Sequence, residues 1–139
     1  MQLTLKYSLP FVTVTLAYRQ AEIKVSHVLV DIGSARTMFA ADVVAQVGLI
    51  PEPEDTLLIV RGVGGAEVVF TRLVDRLQVG HQAVEQFEVE IGGMDYGFEI
   101  NGILGMDLLT RTGAIINLHR LQLEFPQSSF LSKRSDRQS

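Results

Sequence analysis

Val28-Leu29-Val30-Asp31-Ile32-Gly33-Ser34 is the stretch on which the reading of this chain turns. Three apolar residues in a row read as a buried strand. The strand runs directly into an aspartate, and a glycine two places later marks a tight turn. This sets a carboxylate at the mouth of a core, where burial is costly unless the group is paired or neutralised. A single acid there calls for a partner, and two copies related by a two-fold axis could share one proton. On its own, an Asp-x-Gly after a strand is ordinarily just a turn.

The bulk composition narrows the alternatives. At 139 residues the chain is one domain, with room for a real core but not for two. Its 47% hydrophobic and 20% charged residues are those of a globular protein, not of a disordered one. A net charge of -4 supplies no basic field for nucleic acid or an anionic membrane. The absence of cysteine excludes disulfides, thiolate nucleophiles and Cys-ligated metals. Lys6 ahead of the apolar run Leu9 to Tyr18 faintly suggests a signal peptide, but Thr13 and Thr15 interrupt that run with a period of two. No small-x-small cleavage site follows, so the run is read as a strand and the chain is expected in the cytoplasm. No run reaches the ~18 apolar residues of a membrane span.

Working outward, Phe11 to Tyr18 alternates, Arg19-Gln20 breaks it, and Ala21 to Val25 resumes it, which predicts a hairpin feeding the Val28–Val30 strand. Ala40, Val43, Val44 and Val47 then fall on one helical face, ended by Gly48 and Pro51. Pro51 to Asp55 is a stiff acidic loop. Leu57–Val60 and Ala66–Thr71 form a long hairpin around the glycine-rich tip RGVGG at Arg61–Gly65. Val74–Val79 and Phe87–Ile91 read as two short strands about a Gly80-His81-Gln82 turn. Gly102 to Leu109 reads as a buried strand end turning into a brief helix, and Ala114–Leu118 with Leu121–Phe125 as a last strand pair. So many short strands at close spacing predict an all-β chain, a compact barrel or sandwich. There is also a faint internal echo: the segments 28–33 and 100–105 both end apolar-Gly and lead toward a helix, but only the first carries an acid.

Other candidate sites are weaker. Asp95-Tyr96-Gly97 repeats Asp-x-Gly, but Gly92, Gly93 and Met94 do not make a buried strand, so Asp95 is expected in a solvated turn. The tip Gly62-Val63-Gly64-Gly65 lacks the following helix and the lysine of a phosphate cradle, and fits a mobile hairpin tip. His27, His81 and His119 share no ligand-like spacing, so no metal site is indicated. Ser34 has no nucleophile-elbow context. Asp107 is expected to cap the helix that begins near Met106.

The order of these weak signals carries more than any one of them. An apolar strand into Asp-x-Gly-Ser, a glycine-tipped hairpin, then Ile-Leu-Gly-x-Asp-Leu-Leu-Thr resembles the retropepsin-like aspartic proteases, single-lobe enzymes of retroviral type with bacterial members. Val28–Phe39 (VLVDIGSARTMF) is similar to their active-site loop, with Asp31 catalytic and Ile32, Gly33 and Ser34 completing the turn. Arg61–Val69 (RGVGGAEVV) is similar to their flap, in which Gly62, Val63, Gly64 and Gly65 hold substrate. Gly102–Leu118 is similar to their second loop, with Ile103, Leu104 and Gly105 structural. The resemblance spans roughly residues 10–125. It implies a small closed acid-protease barrel with one or two short helices and a domain over residues 1–126; the polar, aperiodic stretch 127–139 is expected to be a disordered tail. The resemblance further implies a two-fold homodimer acting on extended peptide or unfolded protein, without metal or cofactor, nucleic acid or membrane. Catalysis would fall to Asp31 and its symmetry mate, which titrate as a coupled pair around a trapped water.

Two departures stand out. The middle residue of Asp-x-Gly is normally threonine or serine, whose hydroxyl ties the two aspartate turns together; Ile32 has none. A buried backbone group left unpaired costs about 1–3 kcal/mol, which predicts a weakened dimer and lower activity. A catalytically inactive dimeric module for peptide binding or assembly is the rival reading. Retroviral enzymes also carry acids two and three positions after the glycine, and an arginine after the second loop's glycine that pairs with the first of them; here Ala35, Arg36 and Met106 stand at those positions, so both partners of that pair are missing together.

Overall fold

The computed structural model describes residues 1–62, 65–94 and 97–126, and only the backbone of 60–62 and 65–67. Val63, Gly64, Asp95, Tyr96 and the tail 127–139 lie outside the described residues.

Alternation decides the first elements. In β2 (Leu9–Tyr18), Val12, Val14, Leu16 and Tyr18 are buried while Thr13 faces out. β1 (Thr4–Lys6) pairs with it through a turn at Tyr7-Ser8, and β3 (Ala21–Val30) through a turn at Arg19-Gln20. All four turn residues have positive φ, the geometry whose twist matches two-residue hairpins. The second strand of the expected hairpin and the Val28–Val30 strand are one continuous strand, β3. A bulge makes this possible: Val25 pairs with Val14 but Val28 with Val12, and His27 takes φ 55°. The extra residue restores the inward face, so Val25 and Val28, three apart, are both fully buried. The freed carbonyls of Ser26 and His27 accept from Asn101 Nδ2 and Asn101 N, both at 2.9 Å.

β4 (Met38–Ala40) leads into the four-residue helix α1 (Ala41–Val44) and a 3₁₀ turn (Ala45–Val47), which together replace the single helix expected there. β5 (Leu57–Gly62) and β6 (Gly65–Val79) form the long hairpin, in register from Leu57 opposite Phe70 to Gly62 opposite Gly65. β6 has 15 residues: Ala66–Thr71 and Val74–Val79 are not separate strands. The polar Thr71-Arg72 between them breaks the pattern because Arg72 is bound to groups beyond the strand. β7 (Gln82–Gly92) returns antiparallel to β6. β8 (Gly102–Leu104) precedes α2 (Met106–Thr112), and β9 (Ile115–Asn117) pairs with β10 (Gln122–Glu124).

Eight strands make one sheet in the order β1-β2-β3-β8-β4-β7-β6-β5, and β2 also pairs with β6 through Thr15, Leu16 and Ala17. The expected closed barrel is therefore a sheet folded back on itself, with β1 and β5 outside the returning ladder. Its main core gathers Val14, Leu16, Phe39, Leu77, Ile91, Leu104 and Leu108, all nearly inaccessible. Phe11, Ile100 and Ile103 form a smaller cluster on the other side of β2 and β8. β3 and β8 run parallel, with Val28, Leu29 and Val30 opposite Gly102, Ile103 and Leu104, so the two echoing segments lie side by side. Among the described residues no helix is long and apolar enough to cross a membrane.

Candidate active site

Asp31 leaves the end of β3 with its N–H donated to Leu104 O at 3.0 Å, which fixes the turn against β8. Gly33 N donates to Asp31 Oδ1 at 2.9 Å and Ser34 N to Asp31 O at 3.2 Å. The carboxylate is thus oriented by its own turn, and its Oδ2 takes no hydrogen bond from the described residues. It is half-buried, on a tight turn at the edge of the core as the sequence suggested. Ile32 points outward with 68% of its surface exposed.

Behind this turn the two loops are braced to each other. Met106 N donates to Ser34 O at 2.8 Å and Asp107 N to Ala35 O at 3.2 Å. Ser34 Oγ donates to Arg36 O at 2.9 Å, which holds the loop's return. Thr37 is fully buried. Its hydroxyl donates to Asp107 Oδ1 at 2.7 Å and accepts from Gly105 N at 3.1 Å, and its N–H donates to Asp107 Oδ2 at 3.1 Å. Gly105 passes directly under the first loop: a Cβ there would lie 2.5 Å from both the carbonyl carbon and oxygen of Arg36. Only glycine fits that crossing.

Two sequence expectations change here. The residue preceding α2 is Gly105, with no side-chain cap, and Asp107 lies in the first turn. Its Oδ1 accepts from Leu108 N at 2.7 Å within the helix's own first turn, and the carboxylate also takes two donors from the buried Thr37. The second concerns the cross-loop charge pair, for which both usual positions are vacant in Ala35 and Met106. Arg36 Nε stands 3.6 Å from Asp107 Oδ2 and Arg36 Nη2 2.7 Å from Glu88 Oε1. The pair therefore exists with its signs exchanged, cation on the first loop and acid after the second. The hydrogen bond to Glu88 raises the Arg36 guanidinium above its ordinary pKa, against the opposing effect of burial. Thr37 was passed over in the sequence, where its only signal is a lone hydroxyl opening the apolar Met38-Phe39-Ala40.

Ile103 and Leu104 are buried in β8, and Leu104 O receives the Asp31 N–H, so the second loop meets the acid through its backbone. Gly62 and Gly65 face each other at the last described pair of the β5–β6 hairpin. Among the described residues β5 pairs only with β6, and it exposes Leu57, Leu58 and Ile59 in succession. A polar cluster holds the root of this hairpin. Arg72 binds Asp55 and Glu52, donates to Tyr18 Oη at 2.7 Å and to Ile50 O at 3.1 Å. Arg19 binds both oxygens of Glu52, at 2.9 and 3.2 Å. Among the described residues no group of three or more His, Asp or Glu is placed to hold a metal ion.

A family model described as aspartyl protease matches residues 14–108, from β2 through the second loop into α2. The chain belongs to the aspartyl protease family. Its fold is retropepsin-like. It is similar to the crystal structure of the retroviral protease-like domain of Ddi1 from Leishmania major, with TM-score 0.61 and 17% identity over 88% of this chain and 91% of that one. It is equally similar to a retropepsin-like aspartic protease from Rickettsia conorii, with TM-score 0.61 and 15% identity over 88% and 95% of the two chains. No curated protein sequence matches the chain.

Proposed function

We propose that this chain is an aspartic endopeptidase, acting as a two-fold homodimer in which Asp31 of each copy forms one catalytic pair. The observation that carries this reading is the half-exposed Asp31 carboxylate, oriented by Gly33 N on a turn braced to the second loop. Two such carboxylates a few ångströms apart cannot both ionise cheaply and hold one proton between them. The ionised member takes a proton from a water as that water attacks the peptide carbonyl. The protonated member donates to the carbonyl oxygen, and a proton later reaches the leaving nitrogen. The domain comprises residues 1–126, and the β5–β6 hairpin with its tip Gly62–Gly65 folds over an extended peptide, whose backbone pairs with strand edges.

The test is cleavage of an acid-denatured protein mixture by the parent and by Asp31→Asn. Loss of general acid–base chemistry lowers the rate by roughly 10²–10⁴-fold, and pepstatin inhibits the parent alone. Equal rates in the two proteins reject the assignment. The exposed, hydroxyl-free Ile32 favours the rival reading, a dimeric peptide-binding module, which predicts peptide binding without cleavage by either protein.

A further inference from the structure

Ile32, the departure from the usual motif, lies beside an unfilled groove. The groove has a volume of about 460 Å³ and is lined by Ile32, Met106, Leu109, Ile115, Ile116 and Pro126, with the remaining lining residues also uncharged. Ile32 is 68% exposed, and Ile115 and Met106 are also exposed. Single exposed apolar residues are ordinary. A contiguous set beside a functional acid marks a contact surface.

We infer that Ile32 is the apolar lock of the dimer: its side chain enters the groove of the second copy, and contact by burial replaces the hydroxyl tie. The inference rests on the proposed pairing of Asp31 across a two-fold axis and specifies how that pairing is held. Carboxylates sharing a proton are about 3 Å apart, and adjacent Cα atoms about 3.8 Å apart. Any axis that pairs Asp31 therefore passes within about 10 Å of the Ile32 Cα, which brings its exposed side chain to the second copy. In an isologous interface each Ile32 meets the same surface of the other copy. Because no residue lining the groove is charged, the symmetry brings no like charges together there.

The N-terminal segment makes the alternative of exchanged strands less suitable. Leu3 N donates to Leu121 O at 2.8 Å, Leu123 N to Met1 O at 2.8 Å and the Met1 amine to Leu123 O at 2.7 Å. This segment is already committed to β10 of its own chain. The face made by the Asp31 turn, α2 and β9 is the one that the proposed two-fold axis presents to the second copy.

Sedimentation velocity over a concentration series tests this on the full chain, in the Asp31→Asn background so that self-cleavage does not intervene. Ile32→Leu keeps the dimer. Ile32→Thr, which restores the usual hydroxyl, weakens it roughly 10–100-fold through lost apolar burial, and Ile32→Asp leaves only monomer. Because Ile32 is exposed in the single copy, circular dichroism spectra of all three variants match that of the Asp31→Asn parent, and so does melting at concentrations where all are monomeric. Should Ile32→Thr dimerise as tightly as that parent or tighter, the apolar lock is wrong while the catalytic pairing stands. If Ile32→Thr is weakened but Ile115→Lys is not, the groove is not where Ile32 goes. An Asp31→Asn parent that stays monomeric at every concentration overturns both the lock and the pairing.

Discussion

The Asp31 turn and the β5–β6 hairpin are held by opposite means. The turn is over-determined by polar bonds from a neighbouring loop: Thr37, Gly105, Asp107 and the backbones of Ser34 and Ala35 leave it little freedom. The hairpin is an edge with exposed apolar side chains, fastened at its root by Arg72, Asp55, Glu52 and Arg19. A catalytic acid needs its geometry fixed before substrate arrives. A strand pair that closes on a peptide needs a firm root and a free end. The difference predicts that substitutions behind the turn damage the whole fold, while those on the hairpin act on binding.

Gly105→Ala is the largest expected effect. A methyl 2.5 Å from the Arg36 backbone has no flexible neighbour to displace, so the loops must part. Urea unfolding is expected to show a loss of about 3 kcal/mol or more, as for an overpacked core; a loss under ~1 kcal/mol would mean the crossing is soft. Thr37→Val comes next. It keeps the shape but leaves the Gly105 N–H without its acceptor and takes one of two donors from Asp107 Oδ1, which keeps Leu108 N, at a cost of about 1–3 kcal/mol. Asp107→Asn in the Thr37→Val background adds less than it does alone if the two act as a unit.

Acid acts on the hairpin root. Arg19 draws the Glu52 carboxyl below its usual range, and the Glu52 N–H does the same for Asp55, both against burial. Carboxyls depressed in the folded state stabilise it above their ordinary pKa, and that contribution is lost as pH falls through the lowered values. Amide exchange at Asp55 and along β5, corrected for intrinsic rates, therefore accelerates in strong acid relative to neutral pH while β3 stays protected. Arg72→Met flattens this dependence, and an unchanged profile would show that the cluster does not anchor β5. The smallest effect is expected from Ile59→Thr on the exposed face: within about 0.5 kcal/mol in stability, with any change in cleavage appearing in KM rather than kcat.

Much of the fold was legible because strand periodicity is local. Alternation in Phe11–Tyr18, the Arg19-Gln20 break and the apolar run into Asp31 each state their structure within a few residues. The bulge at Ser26-His27 was less legible, since it shows only as two buried valines out of step. Asp107 was only partly legible: its neighbours in sequence suggest a cap, and it does accept from Leu108 N in the first turn, but its other partner Thr37 is 70 residues away. The same distance hid the Arg36–Asp107 pair: Ala35 and Met106 imply a missing brace, and only the folded loops show that one of opposite sign replaced it.

The sequence by itself determined the strands, the aspartate turn and the order of motifs that marks the family, because these depend on side-chain pattern over short spans. The tertiary structure decided which polar groups brace that turn and that Ile32 stands exposed beside an apolar groove. Contacts between distant segments arise only when the sheet folds back on itself, and no local pattern encodes which loop will cross beneath another.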